Sequence, residues 1–167
     1  MFARYNTWAN ERLYAAAAAL SDATYRADRG AFFKSVHGTL NHLLVADRIW
    51  MHRFTGTGTA PDRLDALLFD EFAPLREARR GEDARIERYV DTLTDSDLAG
   101  RFTYRTITNP RRIEQELSPA LDHFFNHQTH HRGQVHCLLT AITGTAPSLD
   151  LIMFQRETGL GSARSLD

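Results

Sequence analysis

The sequence predicts an all-α fold, a four-helix bundle with one long crossover connection and a short β-hairpin between its third and fourth helices. Three observations carry this expectation. Apolar residues recur every three or four positions in four separate stretches, the period of an amphipathic helix. Segments containing Gly, Pro or Ser-Asp divide those stretches and oppose helix continuation. Between Gly100 and Leu117 the period changes to near-alternation.

Phe2, Tyr5, Ala9, Leu13, Ala16 and Leu20 set the first helix, closed by Ser21-Asp22 and followed by a polar stretch to Gly30. The second helix is expected from about Phe32 to Phe54. Val36, Leu40, Leu43, Leu44, Asp47, Trp50 and Phe54 form one stripe, and Gly38, Thr39, His42, Val45, Ala46 and Ile49 a second. Two such faces place this helix near the middle of the bundle. Gly56, Gly58 and Pro61 end it, and the chain to Asp70 reads as the long crossover. Pro74, behind Asp70 and Glu71, suits the first turn of a third helix that continues through Leu75, Ala78, Glu82, Ile86, Tyr89, Val90 and Leu93. RFTYRTI, the turn Asn109-Pro110 and RRIEQEL then suggest a marginal two-stranded hairpin. The fourth helix runs from about Ser118 to Thr143, where Gly144 stops it.

The 167 residues suit one domain over 1–160, with the small, polar segment 161–167 expected to fray. Formal net charge is −1, from 20 basic and 21 acidic residues. That balance, without a basic run or helix-turn-helix spacing, argues against nucleic acid and an anionic membrane surface as partners. No apolar run approaches the roughly 20 residues a bilayer requires. The opening MFARYNTWANERLYAAAAAL is interrupted by Asn6, Asn10, Glu11 and Arg12, and reads as part of the mature fold. Cys137 is the only cysteine, so no intrachain disulfide can form, which favours a reducing, cytoplasmic setting. G-x-S-x-G is absent, and with it the nucleophile elbow of serine hydrolases.

Histidines are concentrated in LDHFFNHQTHHRGQVH, from Leu121 to His136. Residues four apart on a helix stand one above the other, so His123/His127 and His127/His131 can each converge on one ion. Leu117, Leu121, Phe124, Val135, Leu138, Leu139 and Ile142 define the core direction of the helix. At about 100° per residue, His131 lies roughly 35° and His127 roughly 75° from that direction. His123, His130 and His136 lie beyond roughly 100°. His127 and His131 are therefore the inward pair. A catalytic ion usually takes three protein donors. Of His37, His42 and His52 on the second helix, His42 is chosen because Gly38 and Ala46 leave room beside it, with His37 in reserve.

YNTWANERL (Tyr5 to Leu13), SVHGTLNHLLVADRIW (Ser35 to Trp50) and HQTHHRGQ (His127 to Gln134) together resemble the DinB family of DinB/YfiT-like metalloenzymes. The resemblance implies a four-helix bundle holding one divalent metal, zinc or nickel, on His42, His127 and His131. It also implies kinship with thiol-dependent S-transferases and isomerases. The expected activity is that of a metal-dependent transferase or hydrolase activating a low-molecular-weight thiol or water against a small electrophile. The rival expectation is a non-catalytic, stress-associated metal-binding bundle, dimeric through Tyr5, Trp8 or phenylalanines. Asn126, Gln134 and Asp47 are candidates to fix the imidazole tautomers. Gln134 equally suits the helix surface, and Asp47 a pair with Arg48 or Arg12. Cys137, toward the far side of the wheel, reads as a small buried or surface residue.

Overall fold

The computed structural model describes residues 1–161 and runs α1 (Phe2–Ala17), α2 (Asp22–Arg26), α3 (Val36–Thr55), α4 (Phe72–Asp91), α5 (Asp95–Ala99), β1 (Arg101–Arg105), β2 (Arg112–Glu116), α6 (Leu117–Thr143) and α7 (Leu151–Glu157). The structure is mostly helical. Its four long helices pack in a closed cycle, α1 and α3 each lying against both α4 and α6. The expected hairpin is present as one two-stranded antiparallel sheet. The fraying expected of the C-terminal segment falls, beyond Gly161, outside the described residues. Among the described residues no helix is long and apolar enough to cross a membrane.

Three short helices lie outside the four periodic stretches. Two of them are local capping events rather than amphipathic runs: Ser21 caps α2, and a Thr94/Asp97 capping box starts α5. α7 packs Phe154 against Tyr5 and Trp8, so both aromatics have partners within the chain. The first long helix also ends at Ala17 rather than near Leu20. The second begins at Val36 rather than Phe32, because the chain turns first. Gly30 and Lys34 both take positive φ, Ala31 bridges to Lys34, and Ser35 Oγ accepts from the Gly38 amide at 3.0 Å. Replacing Ser35 with alanine should cost about 1 kcal/mol of stability in a urea titration; an unchanged midpoint would show that the cap contributes nothing. Gly56 and Gly144, both left-handed, end α3 and α6 as C-caps.

The interior has three levels. Leu13, Tyr14, Leu40, Leu43, Leu44, Leu75, Val135 and Leu139 fill one end, and Trp50, Met51, Ile86, Ala120 and Phe124 the other. Between these clusters each long helix contributes buried polar residues: Asn6 and Asn10, Asp47, Arg79 and Asp83, Gln128 and Arg132. Arg79 bridges Asp47 at 2.6 Å and Asp83 at 2.9 Å. Asn6 and Asn10 each donate to Asp83 at 3.0 Å, Gln128 donates to Asp47, and Arg132 donates to Asn6. Two carboxylates face two guanidiniums, so the layer balances its charge without solvent. Burial pushes the Asp47 carboxyl up to about 7, against the pull of Arg79, and pushes Asp83 up in the same way.

Candidate metal centre

His42 stands in the second turn of α3, and His127 and His131 one turn apart on α6, the helix packed against it. The three rings meet edge to edge. His42 Nε2 lies 3.2 Å from His131 Nε2 and 3.4 Å from His127 Nε2. Each residue offers one ring nitrogen within 4.8 Å of the others, and no other His, Cys, Asp or Glu among the described residues joins the cluster. His42 and His131 are buried and His127 half-buried.

The outer nitrogens settle the protonation of the inner ones. His42 Nδ1 is 2.7 Å from the carbonyl oxygen of Leu64, which can only accept, so Nδ1 carries the proton. His131 Nδ1 lies 2.8 Å from Gln134 Oε1 and donates likewise, while the Gln134 amino group faces His130 Nε2 at 3.4 Å. In the neutral rings, His42 Nε2 and His131 Nε2 are then bare lone pairs facing each other. Two acceptors so close repel unless a cation lies among them. A second proton on either ring is disfavoured: burial, reinforced by the neighbouring histidines, holds His127 down at about 3. Burial also lowers His42 to about 4, against its bond to Leu64, and lowers His131. Three close, neutral imidazole donors could hold a metal ion.

The crossover supplies what helical periodicity could not show. Leu64, in the segment between α3 and α4, gives His42 its acceptor, and Phe33 stacks on the His42 ring at 3.7 Å between centroids. Asn41 holds the crossover in place by pairing with both backbone groups of Phe69, each at 3.1 Å. His37 Nε2 also meets the Phe69 carbonyl at 3.1 Å, so the reserve candidate secures the loop and is no part of the cluster. His52 faces the Gly58 carbonyl at 3.0 Å. Gly38 does not open room for an ion as expected: a Cβ there would strike the Phe33 carbonyl, so its lack of a side chain lets the backbone that carries the stacked ring cross α3.

The remaining candidates divide. Gln134 does orient a site imidazole. Asn126 is exposed, and Asp47 belongs to the interior polar layer, paired with Arg79 rather than with Arg48 or Arg12. Arg48 faces Glu82 at 3.9 Å and Arg12 pairs with Glu157 at 2.7 Å. His123 and His130 are exposed, as the helical wheel anticipates, and Cys137 is exposed. The sequence carried one hint of the crossover's role. Asn41-His42 is a polar pair in the middle of an apolar helix, and such a pair requires partners from outside that helix.

The family model for the DinB family matches residues 1–162. The chain belongs to the DinB family. It is similar to Protein DinB of Bacillus subtilis (strain 168), with 27% identity in an alignment that covers 92% of this chain and 92% of that protein. Among solved structures it is similar to a DinB-like protein from Bacillus cereus ATCC 10987, with a TM-score of 0.64 and 19% identity. That likeness covers 88% of this chain and 94% of the other, and it concerns the fold alone. Membership of the DinB family and the three-histidine cluster are compatible with metal binding.

Proposed function

We propose that this chain binds one divalent ion, zinc or nickel, through Nε2 of His42, His127 and His131 on a four-helix-bundle scaffold. It serves as a metal-dependent transferase or hydrolase that activates a small thiol or water against a small electrophile. The observation that carries this reading is the pair of bare nitrogens, His42 Nε2 and His131 Nε2, 3.2 Å apart with their outer nitrogens committed to Leu64 and Gln134. When bound, such an ion supplies Lewis acidity that makes a water or thiol nucleophilic near neutral pH. The chain contributes the rest. Leu64 and Gln134 fix the tautomers, and Phe33 covers one face of the centre. His42 and His127 line a cavity of about 330 Å³. With three protein donors the set is open rather than closed, as a reactive centre requires.

Elemental analysis of untagged protein tests the reading directly. Wild type should carry about one zinc or nickel per chain after loading, and His42→Ala and His127→Ala close to none. Metal retained in both variants, or none in wild type, would sink it. Gln134→Ala should keep the fold and weaken metal affinity by about 10–100-fold, because the His131 ring loses its orienting acceptor. Competition with a chromogenic chelator reads that change, and equal affinities would remove Gln134 from the site.

A further inference from the structure

The cavity over the histidines does not end at them. It meets a second cavity, of about 590 Å³, along Ile49, Arg53 and Ile107, and the second is walled by the hairpin. Both volumes lie in the range of small-molecule sites. No aspartate or glutamate lines either one, whereas Arg53, Arg105 and Arg112 do. Among the described residues none of these three makes an ion pair, although Arg101 on the same strand pairs with Glu114 at 3.0 Å.

The hairpin register sharpens the point. On its exposed face, Arg101 stands opposite Glu116 and Thr103 opposite Glu114, but Arg105 stands opposite Arg112. Like charges directly across a strand pair are destabilising, so this end of the hairpin is unfavourable unless an anion joins it. Arg53 lies at the junction. Its guanidinium rests over the rings of Trp50 at 4.5 Å and Tyr104 at 4.6 Å and donates to the Arg105 carbonyl at 3.1 Å. A guanidinium has five N–H donors, so a planar cation held this way keeps donors for a carboxylate. From Arg53 the wall leads back to the centre: Trp50 packs on His123 at 5.1 Å, and His123 on His127 at 5.8 Å.

We infer that this groove takes an anionic small molecule, whose carboxylate end docks on Arg53, with the positive field of Arg105 and Arg112 on the hairpin behind it, while its other end reaches His42 and His127. Arg53 is the specificity-determining residue, and Trp50 and Tyr104 position it. The placement of the reacting end rests on the metal reading above; the charge dock does not.

The test titrates cobalt(II)-loaded full-length protein with 3-mercaptopropionate and, separately, with 2-mercaptoethanol, reading the thiolate-to-cobalt absorption band. Wild type, Arg53→Gln and Arg53→Lys are compared, each with its cobalt content measured first. Wild type should prefer the carboxylate-bearing thiol by about ten-fold. Arg53→Gln should lose that preference with its cobalt content and its 2-mercaptoethanol affinity unchanged, and Arg53→Lys should recover part of it. An equal preference in wild type and Arg53→Gln would overturn the dock, since chelation of cobalt by the carboxylate survives that substitution. If wild type takes up no cobalt, the metal reading fails, and the dock is then read in metal-free protein from the rise in melting temperature with malonate over chloride of equal ionic strength. A rise in wild type that Arg53→Gln abolishes upholds the dock; the same response in both, or no rise in wild type, overturns it.

Discussion

Replacing Arg79 with methionine is expected to destabilise the protein by about 3–5 kcal/mol, a large share of the 5–15 kcal/mol typical of a domain. The substitution preserves much of the side-chain volume and leaves Asp47 and Asp83 buried without the cation that lies 2.6 Å and 2.9 Å from them. Both carboxyls are already pushed up by burial, so part of the loss should return on acidification, when they take up protons. The sign follows from linkage: an acid with a raised native pKa binds protons in the folded state before the unfolded one, so falling pH favours folding. Urea titrations at pH 7.5 and 5.5, compared as differences from wild type, measure both effects. The double variant Asp47→Leu/Arg79→Met should fare better than the sum of its single changes, because one charge of each sign is removed. A loss under 1 kcal/mol in Arg79→Met, or strict additivity in the double variant, would show that the layer is not a coupled charge network.

How much of this was legible beforehand depends on what each residue's neighbours are. The inward direction of His127 and His131 follows from the apolar residues of their own helix, which is why the helical wheel found them. His42 has a signal of the same kind, a histidine on the face of small residues in an otherwise apolar helix. The polar layer has none. In REARRGEDARIERY nearly every position is charged or small, so periodicity cannot tell that Arg79 and Asp83 are buried while Arg80 and Glu77 are exposed. Asn6 and Asn10 read as interruptions of an apolar run, yet they are among the least exposed residues of α1. Asp47 sat on a core stripe, and its partner lay 32 residues away on another helix. The contribution of Leu64 is a backbone carbonyl, so no side chain at that position announces it. Long-range polar pairing and loop carbonyls are properties of the folded arrangement, and a single sequence carries little trace of either.

Zinc should stay bound well below the pH at which ordinary histidines release it. For three unperturbed imidazoles with a pKa near 6.5, protons compete with the metal at each ring, and at pH 5.5 the apparent affinity falls about a thousand-fold from its plateau. Here burial holds His42 at about 4 and His127 at about 3, and lowers His131 as well. A lowered pKa means the folded site remains deprotonated as pH falls through 6.5, so few protons contest the metal in that window. The expected loss between pH 7.5 and 5.5 is therefore within about ten-fold. Competition titrations with a chelator of known pH dependence, on protein verified as folded at each pH, measure it. Phe33→Ala provides the internal control. Removing the ring stacked on His42 at 3.7 Å admits water to that imidazole, and should move the pH of zinc release upward. A thousand-fold loss in wild type would mean that the three rings protonate as solvated histidines do. In that case the convergence of His42, His127 and His131 would not be the dry, cation-seeking cluster that the metal reading requires.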